Sequence, residues 1–167
     1  ISATVGGGRS NTASNAYSTA GGGNGNTASE YCGTVAGGES NLATGLNATI
    51  GGGKENSASN MYTTVGGGAF NKARGEFSVV SGGGGLVETD SNSALGAYST
   101  IPGGTANKAA GDYSFAAGRR AKANHNGTFV WGDGLNADFA STAANQFLIQ
   151  SVYQNKRISI AFHLVSI

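Results

Sequence analysis

Ala16-Tyr-Ser-Thr-Ala-Gly-Gly-Gly-Asn-Gly-Asn-Thr-Ala-Ser-Glu30 is a fifteen-residue unit that returns as Leu46–Asn60 and again as Met61–Gly75. Copies begin at residues 1, 16, 31, 46, 61 and 76, six extra residues intrude, and copies resume at 97 and 112. Self-similarity at a fixed period marks a stack of identical small units rather than one irregular core. Position two of the unit is Ser2, Tyr17, Cys32, Asn47, Tyr62, Phe77, Tyr98 and Tyr113. Position four is Thr4, Thr19, Thr34, Thr49, Thr64, Val79, Thr100 and Phe115. A glycine pair or triple follows in nearly every copy, and then an Asn-x-Ala segment such as Asn26/Ala28 or Asn71/Ala73.

Each copy holds one short run of β-branched and aromatic residues, such as Tyr62-Thr-Thr-Val65, which suits a strand. Side chains alternate along a strand, so positions three and five share a face. Position three is small, and position five supplies the aliphatic core: Val5, Val35, Ile50, Val65, Val80 and Ile101. Positions two and four then point outward as ladders: Tyr17, Thr19, Tyr62, Thr64, Phe77, Tyr98, Thr100, Tyr113 and Phe115. The glycine run permits a tight corner. Asn-x-Ala makes a second short strand, with Asn capping or bonding the next turn and Ala inward. The expected fold is an all-β parallel β-roll of about eight coils, a rod roughly 40 Å long at about 4.8 Å per coil. So lean a core leaves a single roll under-stabilised, and the ladders call for a partner surface.

The repeat, Ser/Thr-x-aliphatic-x-Gly-Gly followed by Asn-x-Ala, resembles the head repeats of YadA-like trimeric autotransporter adhesins and related bacteriophage tail-fibre repeats. The resemblance covers about residues 1–126. It implies a left-handed roll, a side-by-side homotrimer, and an adhesive role at a cell surface, outside the cell or on a virion fibre. The ladder residues would then form the trimer interface.

Only 11% of residues are charged, 30 of 167 are glycine, and the net charge is +1; the average charged share is about 25%. No interleaving of aromatic and basic residues suggests a nucleic-acid platform, and no stretch reads as a membrane span. The lone Cys32 rules out an internal disulfide framework and reads as a small filler in the position-two column. Ile1 already lies inside a repeat, so the chain reads as a fragment or a processed form.

The exposed corners vary from copy to copy (Arg9-Ser10, Asn24-Gly25, Glu39-Ser40, Lys54-Glu55, Ala69-Phe70), as a scaffold with a free face would show. Phe70 is the odd member, read as packing on a neighbouring coil. The extra loop, about residues 85–91, carries Leu86, Val87, Glu88 and Asp90. Insertions in solenoids map to loops, often on the binding face, so these four are candidate ligand contacts. In copy eight Arg119, Arg120 and Lys122 replace the usual Gly and Asn positions. They are expected to pair with Asp133 or Asp138 across chains, with a polyanion site as the alternative. The roll is expected to span residues 1–123, and residues 124–167 to form a C-terminal cap or neck-like segment. That segment holds Trp131 and bulky side chains such as Phe129, Phe139 and Phe147, and ends in an alternating run, Arg157–Ile167, that reads as one strand.

Catalysis needs converging titratable groups. His125 and His163 have no ligand-type partner at helical spacing, and the nine acids are dispersed. Gly51-Gly-Gly-Lys-Glu-Asn56 lacks the Gly-Lys-Ser/Thr ending of a phosphate loop. No catalytic residue, metal ligand or cofactor is expected. The reading is a non-catalytic structural or adhesive module with an unidentified surface ligand, an extracellular protein or a glycan. The alternative is a carbohydrate- or ice-binding solenoid that uses the Thr ladder; a polysaccharide-cleaving enzyme comes third. Replacing Val65 with Asp puts an unpaired ion in the thin interior, at a cost of several kcal/mol. The melting temperature should fall sharply, and unchanged melting would place position five outside the core.

Overall fold

In the computed structural model, which describes residues 2–153 and 156–162, the chain winds as a β-solenoid of stacked parallel coils. The strands are β1 (Thr4–Val5), β2 (Thr12–Ala13), β3 (Thr19–Ala20), β4 (Thr27–Ala28), β5 (Thr34–Val35), β6 (Leu42–Ala43) and β7 (Thr49–Ile50). They continue as β8 (Ser57–Ala58), β9 (Thr64–Val65), β10 (Lys72–Ala73), β11 (Val79–Val80), β12 (Ser93–Ala94), β13 (Thr100–Ile101) and β14 (Lys108–Ala109). The last are β15 (Phe115–Gly118), β16 (Ala121–Ala123), β17 (Phe129–Gly132), β18 (Phe139–Ala140), β19 (Phe147–Tyr153) and β20 (Lys156–Phe162). Odd strands β1 to β19 stack in order as one sheet, which β20 closes; even strands stack as the other. Register is strict: Thr49 lies on Thr64 and Ile50 on Val65, while Ser57 lies on Lys72 and Ala58 on Ala73. A third column of single bridges links Arg9, Asn24, Glu39, Lys54, Ala69 and Gly84 at position nine.

Position five and the Ala of Asn-x-Ala close the core. Val35, Ile50, Val65, Val80 and Ile101 are fully buried against Ala28, Ala43, Ala58, Ala73, Ala94 and Ala109. Val5, assigned to the same column, is 48% exposed because its coil has a neighbour on one side only. Position three is inward as well, and its hydroxyls have a task. Ser18 Oγ donates to Asn15 O at 2.7 Å and Thr63 Oγ1 to Asn60 O at 2.7 Å, tying those coils to the turn before them, whereas Ser78 Oγ and Ser99 Oγ are buried without a partner among the described residues.

The asparagines are not corner caps alone. Asn26, Asn41, Asn56, Asn71, Asn92 and Asn107 are buried in a continuous ladder. Asn56 Nδ2 donates to Gly52 O in its own coil at 3.0 Å and to Gly68 O in the next at 2.9 Å. Its Oδ1 accepts from Asn71 N at 2.9 Å. Each amide thereby supplies the donor for the position-seven carbonyl and a second donor for the position-eight carbonyl, which also accepts the position-nine amide of the preceding coil, as Gly68 O does from Lys54 N at 2.9 Å. The corner beside it requires glycine: Gly53 has φ +88°, and a Cβ there would run into the carbonyl oxygen of Gly68.

Position two is not part of the strand, contrary to the alternation argument. Tyr17, Cys32, Asn47, Tyr62, Phe77, Tyr98 and Tyr113 all have φ between 53° and 59°, in the left-handed region. The reversal aims each amide at the preceding coil: Tyr62 N donates to Leu46 O, and Phe77 N to Met61 O. Position ten repeats the device, with Ser40, Glu55, Phe70 and Ala106 left-handed and Phe70 N donating to Lys54 O. Left-handed backbone costs a non-glycine residue roughly 1–2 kcal/mol, and the inter-coil hydrogen bond holds it in place.

The parallel stacking runs past residue 123. Phe129 lies on Phe115, Phe147 on Phe129, and Phe139 on Ala121, so the solenoid reaches about ten turns. β20 then pairs antiparallel with β19. Of the expected terminal strand, Lys156–Phe162 is a strand, and residues 163–167, His163 among them, lie outside the described residues.

The ladder has one missing link. Asn71 Oδ1 is buried and accepts no hydrogen bond among the described residues, because the six-residue insertion separates Asn71 from Asn92. An unmet buried acceptor costs about 1–3 kcal/mol. Asn56→Ala should therefore destabilise more than Asn71→Ala, by about 1 kcal/mol, since only Asn56 leaves a buried amide without its acceptor. Urea denaturation of both variants decides it; equal losses would mean the ladder's acceptor side contributes nothing.

Candidate functional site

Two outward surfaces carry the unusual residues. The first is the aromatic column at position two. Coils repeat at about 4.8 Å, within the centroid separation of roughly 4.5–7 Å that offset-stacked rings adopt, so rings on successive coils stack in parallel. Tyr62, Phe77, Tyr98 and Tyr113 form one pile with centroids 5.0, 5.0 and 5.1 Å apart, within 9° of parallel. All four are exposed, from 39% for Phe77 to 69% for Tyr113. Cys32 and Asn47 interrupt the column, so Tyr17 stands apart and meets Tyr31 edge-on at 5.5 Å.

Position four runs beside it. Thr19, Thr34, Thr49 and Thr64 lie in register, then Val79 and Thr100. From Phe115 the column becomes aromatic, with Phe115, Phe129 and Phe147 stacked at 4.6 and 4.5 Å. The apolar stripe thus passes from the position-two corner to the strand face between Tyr113 and Phe115. The expected ladder residues are brought together, on two adjacent columns rather than on one strand face.

The second surface belongs to the even-strand sheet and was not foreseen as a unit. After Gly84 the insertion leaves the roll, makes a single 3-10 turn over Glu88–Asp90, and returns at Ser91. Two residues share the work of position nine. Gly84 N donates to Gly104 O, and Asp90 O accepts from Ala106 N, as intact corners do with one residue. Leu86 is 94% exposed and Val87 is exposed. Glu88 folds back to pair with Lys72. Lys72 lowers the Glu88 carboxyl below its ordinary value of 4.5, first by hydrogen bonding and then by charge, with a smaller contribution from Arg74.

The insertion walls a cleft of about 240 Å³ whose lining includes Lys72, Arg74, Lys108 and Lys122 together with Thr89, Ser91 and Ser93. Lys72, Ser93, Lys108 and Lys122 are successive rungs of position twelve. Lys122 Nζ donates to Ala106 O and lies 3.7 Å from Asp138. Burial pushes Lys122 below the ordinary lysine value of 10.5, with Arg120 and Lys108 acting in the same direction and Asp138 opposing. Arg120 Nε donates to Asp138 at 2.8 Å. Two of the copy-eight cations, Arg120 and Lys122, therefore meet Asp138 within one chain, where pairing across chains was expected, and Arg119 Nη1 donates instead to Gly134 O at 3.1 Å.

Among the described residues, the two titratable side chains of most chemical interest stand apart. His125 Nδ1 lies 2.8 Å from Ser141 Oγ, and Cys32 is half-buried. Among the described residues there is no group of three or more His, Cys, Asp and Glu, and no helix is long and apolar enough to cross a membrane. No protein-family model matches the chain, and no curated protein matches it.

The Glu88–Lys72 pair sets a pH window for the loop. A depressed carboxyl contributes to docking above 4.5 and loses that contribution as pH falls through its lower folded value. Amide exchange over residues 88–91, corrected for its intrinsic pH dependence, should rise below that value. Glu88→Gln should show the raised exchange at neutral pH, and an unchanged rate would show that the pair does not hold the loop.

Proposed function

We propose that the chain is a non-catalytic structural and adhesive module, a left-handed β-roll that associates side by side as a homotrimer. It displays a binding surface at a cell surface, outside the cell or on a virion fibre. One observation carries this reading: a continuous pile of exposed aromatic rings, Tyr62 to Tyr113, beside a threonine column on a roll with an Ala/Val core. A contiguous exposed apolar stripe marks an interaction surface. Flat stacked rings offer a large apolar area with few rotamers left to freeze, and a partner roll of the same pitch matches them ring for ring. Lateral pairing also gives the lean roll the burial it lacks. The likeness of the repeat to YadA-like heads supports the number three and the handedness.

A second reading uses the same sheet. Thr19, Thr34, Thr49 and Thr64 form an unbroken array in register, which suits a repeating ligand such as a carbohydrate lattice. It requires the columns to face water.

Light scattering separates the two. A mass of about three times 16.5 kDa supports the homotrimer, and Tyr98→Glu, a charge in the middle of the pile, should then reduce the mass to one chain without loss of the β signal. A monomeric wild type overturns the trimer and transfers weight to the ligand-binding solenoid.

A further inference from the structure

We propose that the cleft between the insertion and the even-strand sheet binds an acidic sugar unit, taking its sulfate or carboxylate oxygens on Lys72, Arg74, Lys108 and Lys122. This names a ligand class for the binding role proposed above and rests on that reading, but not on the number of chains.

Three observations converge. Among the described residues the cleft lining carries four cations and no carboxylate, with Glu88 and Asp138 reaching Lys72 and Lys122 from outside it, on a chain whose net charge is only +1. The cations are placed by the fold, not by sequence proximity. Position twelve is Thr12, Thr27, Leu42 and Ser57 in the first four coils, and becomes Lys72, Ser93, Lys108 and Lys122 only where the insertion stands over it. Like charges on adjacent rungs repel, and at one coil spacing the repulsion between Lys108 and Lys122 is about 1 kcal/mol even in water. Glu88 meets Lys72, and Asp138 meets Lys122 and Arg120, whereas Lys108 forms no ion pair among the described residues. An anionic oxygen in the cleft relieves that repulsion.

The remaining lining decides the class of anion. Thr89, Ser91 and Ser93 offer hydroxyls at the edge of the cations, suited to sugar hydroxyls. Among the described residues no aromatic ring lines the cleft, so the base stacking that single-stranded nucleic acid needs has no platform there. A volume of about 240 Å³ admits a sugar unit or two and no globular partner surface.

The test titrates the whole chain calorimetrically with a sulfated uronate-containing disaccharide, its unsulfated and carboxyl-reduced neutral counterpart, and a single-stranded oligonucleotide. The sulfated disaccharide should bind, more weakly at higher salt, and the neutral one should not. Lys108→Gln should weaken binding about tenfold, the loss of one charge-assisted hydrogen bond. Lys54→Gln, on a corner outside the cleft, should leave it unchanged. Deleting residues 85–90 restores the fifteen-residue spacing of Asn71 and Asn92 and should abolish binding. The proposal is overturned by equal binding of the neutral sugar, by equal loss in the Lys54 and Lys108 variants, or by tighter binding of the oligonucleotide. Light scattering on the same samples keeps the two readings apart. Binding by a monomer sinks the trimer alone, and a trimer that ignores the sulfated sugar sinks this site alone.

Discussion

The buried asparagine amide is the interaction on which this fold depends. Strands two residues long leave most of each coil's backbone outside the ladders, and two glycine carbonyls per coil end up facing the interior. One of them, Gly68 O and its equivalents, also accepts the position-nine amide of the preceding coil, Lys54 N at 2.9 Å, whereas Gly52 O takes its hydrogen bond from the asparagine side chain. Unmet, the latter would cost about 1–3 kcal/mol. One side chain per coil reaches both carbonyls and accepts the next coil's amide. The same bond pattern fixes the coil length, because Asn must reach position seven of its own coil and position eight of the next. Stability is then additive between neighbours, in the manner of repeat proteins.

The repeat made the stacked coil, the inward Val/Ile and Ala columns and the parallel register legible without coordinates. Three things were not. Tyr62 and its equivalents read as strand residues because aromatic side chains favour strands, while an aromatic residue in left-handed backbone is rare enough that composition argues against it. The continuation past residue 123 was hidden because Ala121, Phe139 and Gly127 replace the Asn and aromatic markers. The rung pairs Phe129-Val130 and Phe147-Leu148 nonetheless keep the alternation. The cationic cleft draws on residues 72 to 122, which only stacking joins; Leu86, Val87, Glu88 and Asp90 lie in the insertion, while the charged lining lies on the sheet beside it.

The two surfaces divide by physical character. The odd-strand side pairs an aromatic pile with a threonine column and repeats at the coil spacing, a period that another roll of the same pitch would match. The even-strand side is smooth and neutral over its first four rungs and charged over the next few. On the proposed reading, the roll separates an assembly surface from a recognition surface without needing separate domains.

The division of position nine between Gly84 and Asp90 reaches further. The roll asks of that corner one amide hydrogen and one carbonyl, and it accepts them from residues six apart. Whatever lies between is free in length and sequence, and lengthening a loop costs little closure entropy. Every coil has the same corner. The scaffold is in that sense a pegboard, on which new loops of any composition are grafted at about 4.8 Å intervals while the register of the rest is undisturbed.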